Sequence, residues 1–159
     1  MTSKEIALSA MRSQGKADAL DLQTRIESGT MDDTAIIDEE EKIPYWDPNK
    51  DYTNCPRGYA VAFDIEGERN IFGLLIPHNA SHYPNDNPEN NRTLWSLKHT
   101  KNPRKARAYV RPNGTSGLYM LDECYKAGET VYISEIDNNG YTYEEYPQGW
   151  RIWTAWEGE

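Results

Sequence analysis

Several common signposts are missing from this chain. It has only two cysteines, Cys55 and Cys124, too few for a disulfide framework or a cysteine metal site. Whether the two pair with each other stays open. No apolar run reaches the roughly 18 residues of a membrane span. The polar N-terminus is not followed by the apolar stretch of a signal peptide. A soluble chain folding in a reducing cytoplasm is therefore expected. Positive charge is in deficit, since 17 Lys and Arg stand against 26 Asp and Glu for a net charge of -9. That argues against nucleic acid, because neutralising phosphates needs clustered cations. There is no glycine-rich phosphate loop and no serine or cysteine nucleophile motif. Carboxylates are plentiful, but none stands in a motif that pairs an acid with a base for glycoside hydrolysis. Neither an enzyme nor a cofactor is expected. Only 37% of residues are hydrophobic and the mean hydropathy is -0.88. One large core is therefore not expected; small units that need neighbours are.

The chain is rich in amphipathic aromatics and in repetition. Five Trp and eleven Tyr stand against two Phe, so most aromatic rings carry a polar edge. Between residues 45 and 152 one pattern occurs twice. Tyr45-Trp46-Asp47-Pro48-Asn49 opens one copy and Tyr109-Val110-Arg111-Pro112-Asn113 opens the other. Each copy then has a lone Tyr (Tyr52; Tyr119), a strand-like run, a Gly turn, a second strand-like run and a polar loop. Each closes on Trp-x-aliphatic, Trp95-Ser96-Leu97 and Trp150-Arg151-Ile152. A repeat of this kind sets the unit of structure.

Five segments follow. Residues 1–29 read as an N-terminal helical segment for assembly or docking. Thr2 and Glu5 have capping-box spacing, and apolar positions recur at Ile6, Ala7, Ala10, Met11, Ala17, Leu20 and Ile26, with a stop at Gly29. An isolated helix of this length is marginal in water, so it should pack on the repeats, on a copy of itself or on another protein. Residues 30–44 are a connector in which Ile36 and Ile37 face the first repeat and Asp38 to Glu41 form a solvated acidic face. Residues 45–98 form a first β module, with strands at Tyr59 to Asp64 and Ile71 to Ile76 around a Glu66-Gly67 turn. Residues 99–108 complete a basic, solvated linker. Residues 109–159 form a second β module, with strands at Leu121 to Tyr125 and Thr130 to Ile136 and a strong turn at Asp137-Asn138-Asn139-Gly140. The fold class is mainly β with an N-terminal α-helical segment, built as two small antiparallel β modules in tandem.

The order of these signals resembles the small chitin-binding type-3 modules, whose pattern runs Tyr-x-x-Gly-Asp-x-Val, a Gly turn, aromatic-x-Ser-x-Ile-Asp-Asn-Asn and a final Gly-Trp. In the second copy Tyr119, Glu123, Val131, Tyr132, Ser134, Ile136, Asp137, Asn138, Asn139, Gly149 and Trp150 fall at or near those positions. In the first, Trp46, Tyr52, Val61, Gly67, Phe72 and Trp95 do. Such modules accompany bacterial chitinases and occur in tandem behind an N-terminal helix in bacteriophage and prophage tail proteins. The opening Thr-x-x-Glu-Ile-Ala and the stretch Asp33 to Ile37 look like those tail proteins. The resemblance implies a non-enzymatic phage tail or tail-like particle component, made in the bacterial host cytoplasm and assembled into the virion. Its helix would bind other tail or baseplate proteins or form a homo-oligomer, and its modules would be displayed for attachment to host surface polysaccharide. Chitin-binding members carry two adjacent exposed aromatics after the return strand. Here those places hold Leu75-Ile76-Pro77 and Glu135-Ile136-Asp137. A purely structural tail or baseplate assembly protein that binds no sugar is therefore the alternative.

Sugar recognition needs flat ring faces with amides and carboxylates nearby. The candidates are Tyr141, Tyr143, Tyr146, Trp153 and Trp156, with Asp137, Asn138 and Asn139 as hydrogen-bonding partners. A protein interface would use the same residue types. Trp46, Tyr52, Trp95, Tyr119 and Trp150 read as core aromatics. His78 and His82 have a spacing that could hold a metal on a helix, but Pro77 and Pro84 flank them, so no metal site is expected.

Overall fold

A computed structural model of the chain describes residues 2–154. Helix α1 (Ser3–Glu27) begins at the expected capping box, in which the Glu5 amide donates to Thr2 Oγ1 at 3.1 Å and the Thr2 amide donates to Glu5 Oε2 at 2.9 Å. Its described side chains up to Ala17 are exposed, Ile6 and Leu8 among them. Only the last turns dock, through Leu22, Gln23 and Ile26. A second helix, α2 (Asp33–Asp38), is capped by Asp32 and buries Ile36 and Ile37 against Leu22, Ile43, Ala60, Ala62 and Ile71. The isoleucine pair thus meets the first module, as its apolar character in a polar segment implied.

The first sheet is antiparallel in the order β1 (Ala60–Ile65), β2 (Glu68–Leu74), β3 (Trp95–Leu97). Glu66 and Gly67 both take positive φ, 52° and 81°, in the two-residue turn between β1 and β2, the backbone that matches the twist of a tight hairpin. Alternation along the strands directs Val61, Phe72, Leu74, Trp95 and Leu97 onto Tyr52, and Ala60, Ala62 and Ile71 onto the helices.

The second sheet runs β4 (Arg107–Ala108), β5 (Cys124–Ala127), β6 (Thr130–Ser134), β7 (Trp150–Ile152). It is mixed rather than wholly antiparallel, because β4 lies parallel to β5. The first strand of its hairpin, β5, starts at Cys124 rather than Leu121. Residues 120–123 form a turn instead, closed by the Glu123 amide on Met120 O at 2.9 Å, with Asp122 at φ 71°.

The repeat is structural. Trp95 pairs with Leu74 as Trp150 pairs with Ser134. The Tyr52 amide donates to His78 O as the Tyr119 amide donates to Asn139 O. Each buried Tyr meets its Trp edge to face, at 5.2 Å in the first module and 5.4 Å in the second. The opening register differs from the sequence match by one residue. Tyr45 bridges Ala62 in parallel, whereas Ala108 holds the equivalent place against Lys126, so Trp46 aligns with Tyr109. The anchor is the buried Tyr hydroxyl, which accepts the Asp47 amide at 3.0 Å in one module and the Val110 amide at 3.4 Å in the other. Of the five core aromatics, Tyr52, Trp95, Tyr119 and Trp150 are buried. Trp46 is half-buried, edge-on to Phe63.

The basic segment is not a solvated linker. His99, Thr100 and Ala106 are buried, and the His99 ring stacks on Tyr119 at 3.7 Å. Its cations pair with the acidic connector: Lys98 with Asp33 at 3.0 Å, Lys105 with Asp38 at 3.8 Å, and Arg107 with Glu40. Arg107 also donates to Arg69 O, and the Ala108 amide to Glu68 Oε1. The acidic run is a solvated face only in part: Asp38 and Glu41 are exposed, but Glu39 and Glu40 are half-buried, and Arg25 grips Glu39 through two hydrogen bonds of 2.7 and 2.8 Å. Opposite charge on two segments adjacent in space ties each to the other and joins the modules.

Candidate functional site

Strand alternation in the second module places Tyr125 and Tyr132 directly across from each other on one face of β5 and β6, the face that also carries Trp150. Tyr109 reaches this face from just beyond β4. Tyr143 arrives from the loop before β7. The four rings line a cleft of ≈ 230 Å³ with Ala127, Thr142 and Glu144. Tyr132 and Tyr143 stack at 4.7 Å, Tyr125 and Tyr132 lie 5.2 Å apart, and Tyr109 stands at 67° to Tyr125.

The loop is held by hydrogen bonds. Tyr125 Oη accepts the Tyr143 amide at 2.9 Å, and Tyr109 Oη donates to Gly140 O at 2.6 Å. Thr142 and Glu145 cap each other's amides at 2.9 and 3.2 Å. The Thr142 amide and then the Arg111 guanidinium, 2.9 Å away, hold the Glu145 carboxyl below the usual range. Burial pushes the Tyr109 and Tyr125 phenols up. Arg111 lies 5.2 Å from the centre of the Tyr109 ring.

The residues singled out from the sequence do not converge on one site. Tyr143 is in the cleft. Tyr141 and Tyr146 lie outside it and form a separate exposed pair, 5.8 Å apart. Asp137 and Asn138 are exposed turn residues, Asp137 accepting the Leu121 amide at 2.9 Å and Asn138 at φ 55°. Asn139 is not a surface ligand. It is fully buried and its amide donates to Ser134 Oγ and Gly149 O, each at 3.1 Å, because the turn folds back to pair it with Tyr119. Trp153 is on the opposite face, packed on Ala106, Cys124, Val131 and Ile133 beneath Arg104. Trp156 lies outside the described residues.

Sequence reasoning passed over Tyr109, Tyr125 and Tyr132. The signal for two of them was present, since Tyr125 and Tyr132 flank the Ala127-Gly128-Glu129 turn at positions that pair across a tight hairpin. His78 is the counterpart of Asn139, buried against Trp95 at 5.6 Å with Nδ1 2.8 Å from Ile76 O, while His82 is exposed. Among the described residues, no three His, Cys, Asp or Glu side chains are grouped to hold a metal ion, and no helix is long and apolar enough to cross a membrane. Cys55 and Cys124 are separate thiols, and burial pushes Cys124 up to about 12.

A cleft of phenol rings, with a hydroxyl and a carboxylate in its lining, can pack on an apolar ligand surface and hydrogen-bond its polar edge. Compared with protein-family models, with curated proteins and with solved structures, the chain matches none.

Proposed function

We propose that the chain is a non-enzymatic component of a phage tail or tail-like particle, and that its second module binds a glycan on the host cell surface. The observation that carries this reading is the tyrosine cleft. Its tyrosine rings would pack on the apolar side of a pyranose, with Thr142 and Glu144 in the lining to meet hydroxyls. The resemblance to tandem chitin-binding type-3 modules of tail proteins adds to it. The helix, docked by its last turns alone, leaves a long arm for attachment to a particle. Many copies on one particle would offset weak binding by each through effective concentration.

The test is retention of the protein on purified cell-wall polysaccharide, peptidoglycan and chitin. Tyr132→Ala and Tyr143→Ala should each weaken retention roughly tenfold, and Tyr141→Ala should leave it unchanged. No retention of the unaltered protein on any of the three at high concentration sinks the glycan reading. A second reading, an assembly protein that binds no sugar, is favoured by Ile6, Leu8 and Leu20 standing exposed on the helix. Light scattering that finds a monomer at high micromolar concentration would count against self-assembly through that surface.

A further inference from the structure

We infer that helix α1 pairs in parallel with α1 of a second copy of this chain, through the face turned away from the protein's own body. The inference deepens the reading of the helix as an assembly surface and does not depend on glycan binding. The described side chains of α1 up to Ala17 are all exposed. A helical arm of that length, weakened by Gly15, is marginal in water by itself. Residue spacing marks the face that is free to be covered. Ile6, Ala10, Ser13, Ala17 and Leu20 recur at alternating steps of four and three, and all are exposed. The two large apolar side chains of the row, Ile6 and Leu20, stand at its ends, 55% and 69% exposed. The row is a seam of about 27 Å. At about 100° per residue it lies roughly 150° around the helix from Leu22, Gln23 and Ile26, which dock on the first module. A second helix can therefore lie along the seam while each body stays on the outer side of the pair.

Charge selects the occupant and its direction. Lys16 flanks the seam on one side and Asp21 on the other. In a parallel pair in register, Lys16 comes beside the partner's Asp21, five residues further on, and the contact occurs twice by symmetry. This is the relation that sets partner choice in two-stranded coiled coils. Both residues are exposed, and Asp21 keeps two-thirds of its side chain free although it lies 3.0 Å from Arg25. Arg25 is held independently by its two bonds to Glu39. An antiparallel pair centred on Ser13 sets Lys16 against Ser9 and Asp21 against Ala7, so neither charge finds its opposite. Parallel pairing leaves the two N-termini at one end and all the β modules at the other.

The full chain is examined by light scattering over a range of concentrations up to high micromolar, and each variant has its thermal transition measured to confirm folding. The parent should be a dimer at the top of the range. Leu20→Asp should raise the dimer dissociation constant at least roughly tenfold. Lys16→Asp should also weaken pairing, by roughly tenfold, because it sets two carboxylates together at each edge. The exchanged pair Lys16→Asp with Asp21→Lys should restore it. Direction is read by mild oxidation of Ser3→Cys in a Cys55→Ser background. Parallel helices bring the two new thiols together, so this variant should bridge faster than Lys4→Cys, which points away from the seam. A monomeric parent, or a dimer that Leu20→Asp leaves intact, overturns the inference. Failure of the exchanged pair to restore pairing, or equal bridging by the two cysteine variants, overturns the parallel register. A dimer that is not retained on any cell-wall polysaccharide sinks the glycan reading and leaves this inference standing. A monomer that is retained does the reverse.

Discussion

Two buried titratable residues, Glu123 and His99, give the molecule opposite responses to pH. Burial pushes Glu123 up to about 7 although its carboxylate accepts the Met120 amide at 2.7 Å, and Asp33, Lys101 and Asp137 make up the charge around it. Burial pulls His99 down to about 4 although its ring contacts Gly117 O at 2.8 Å. An acid with a raised folded pKa stabilises the fold fully below its unfolded value of 4.5, and that contribution is lost as pH rises through 7. A base with a lowered folded pKa stabilises the fold above its unfolded value of 6.5, and that contribution is lost as pH falls towards 4. Between these limits the two slopes oppose, so the unaltered protein should change little in stability from pH 5 to pH 8. Glu123→Gln keeps an acceptor for the Met120 amide and removes the ionisable group. Its unfolding free energy from urea titration should exceed that of the parent at pH 8, by on the order of 1 kcal/mol, and not at pH 5. An equal difference at both pH values would contradict the assignment. Neither shift was legible in the sequence, because a Glu or His carries no mark of burial until its neighbours are known. Asn139 makes the same point. In sequence it is one more polar turn residue, and only its pairing with Tyr119 turns it into core.

At the scale of elements, the two modules protect the same strand edge by different means. In the first, the Gln23 side-chain amide mimics a backbone partner, donating to Ala60 O at 2.8 Å and accepting the Ala60 amide at 2.9 Å. In the second, Cys124 stands at the equivalent place, and its amide donates to Thr100 O of the basic segment at 3.0 Å. Covering an edge in this way removes a template for pairing with another chain. It also makes Gln23 the polar clamp of the helix. Gln23→Ala leaves the amide and carbonyl of a buried strand residue without partners, at a cost of about 1–3 kcal/mol. Hydrogen exchange should show the helix protected in the parent and released in the variant, while the amides of β1 to β3 stay protected. Loss of protection in the sheet as well would mean that helix and sheet form one cooperative unit. The helix, its cap and both hairpins were readable from local signals: a capping box, alternation and glycine turns. The parallel strand β4 was not, because two residues carry no periodicity and their pairing is set by the Tyr119 anchor and the Arg107 contacts.

For the whole molecule, the deciding feature is the seam between connector and basic segment. Arg107 is its centre, paired with Glu40 and with Arg69 O, with both charged side chains largely buried. Arg107→Ala should destabilise the joint by about 1–3 kcal/mol, since it strands Glu40 in a part-buried site. Calorimetry should find one transition in the parent and two resolved transitions in the variant, whereas a single transition merely shifted downward would show that the modules do not separate. Some of this was settled by sequence alone. Residue order determined the helix, the doubled β unit, its Tyr and Trp pegs and the acidic balance, because capping, alternation and turn chemistry act between near neighbours along the chain. The tertiary structure alone decided that the basic stretch is a seam and that Trp153 faces away from the tyrosines. It alone brought Tyr109, Tyr125, Tyr132 and Tyr143 to one cleft. Those relations join residues distant in sequence, and they come into being only when sheet register and sheet faces are set.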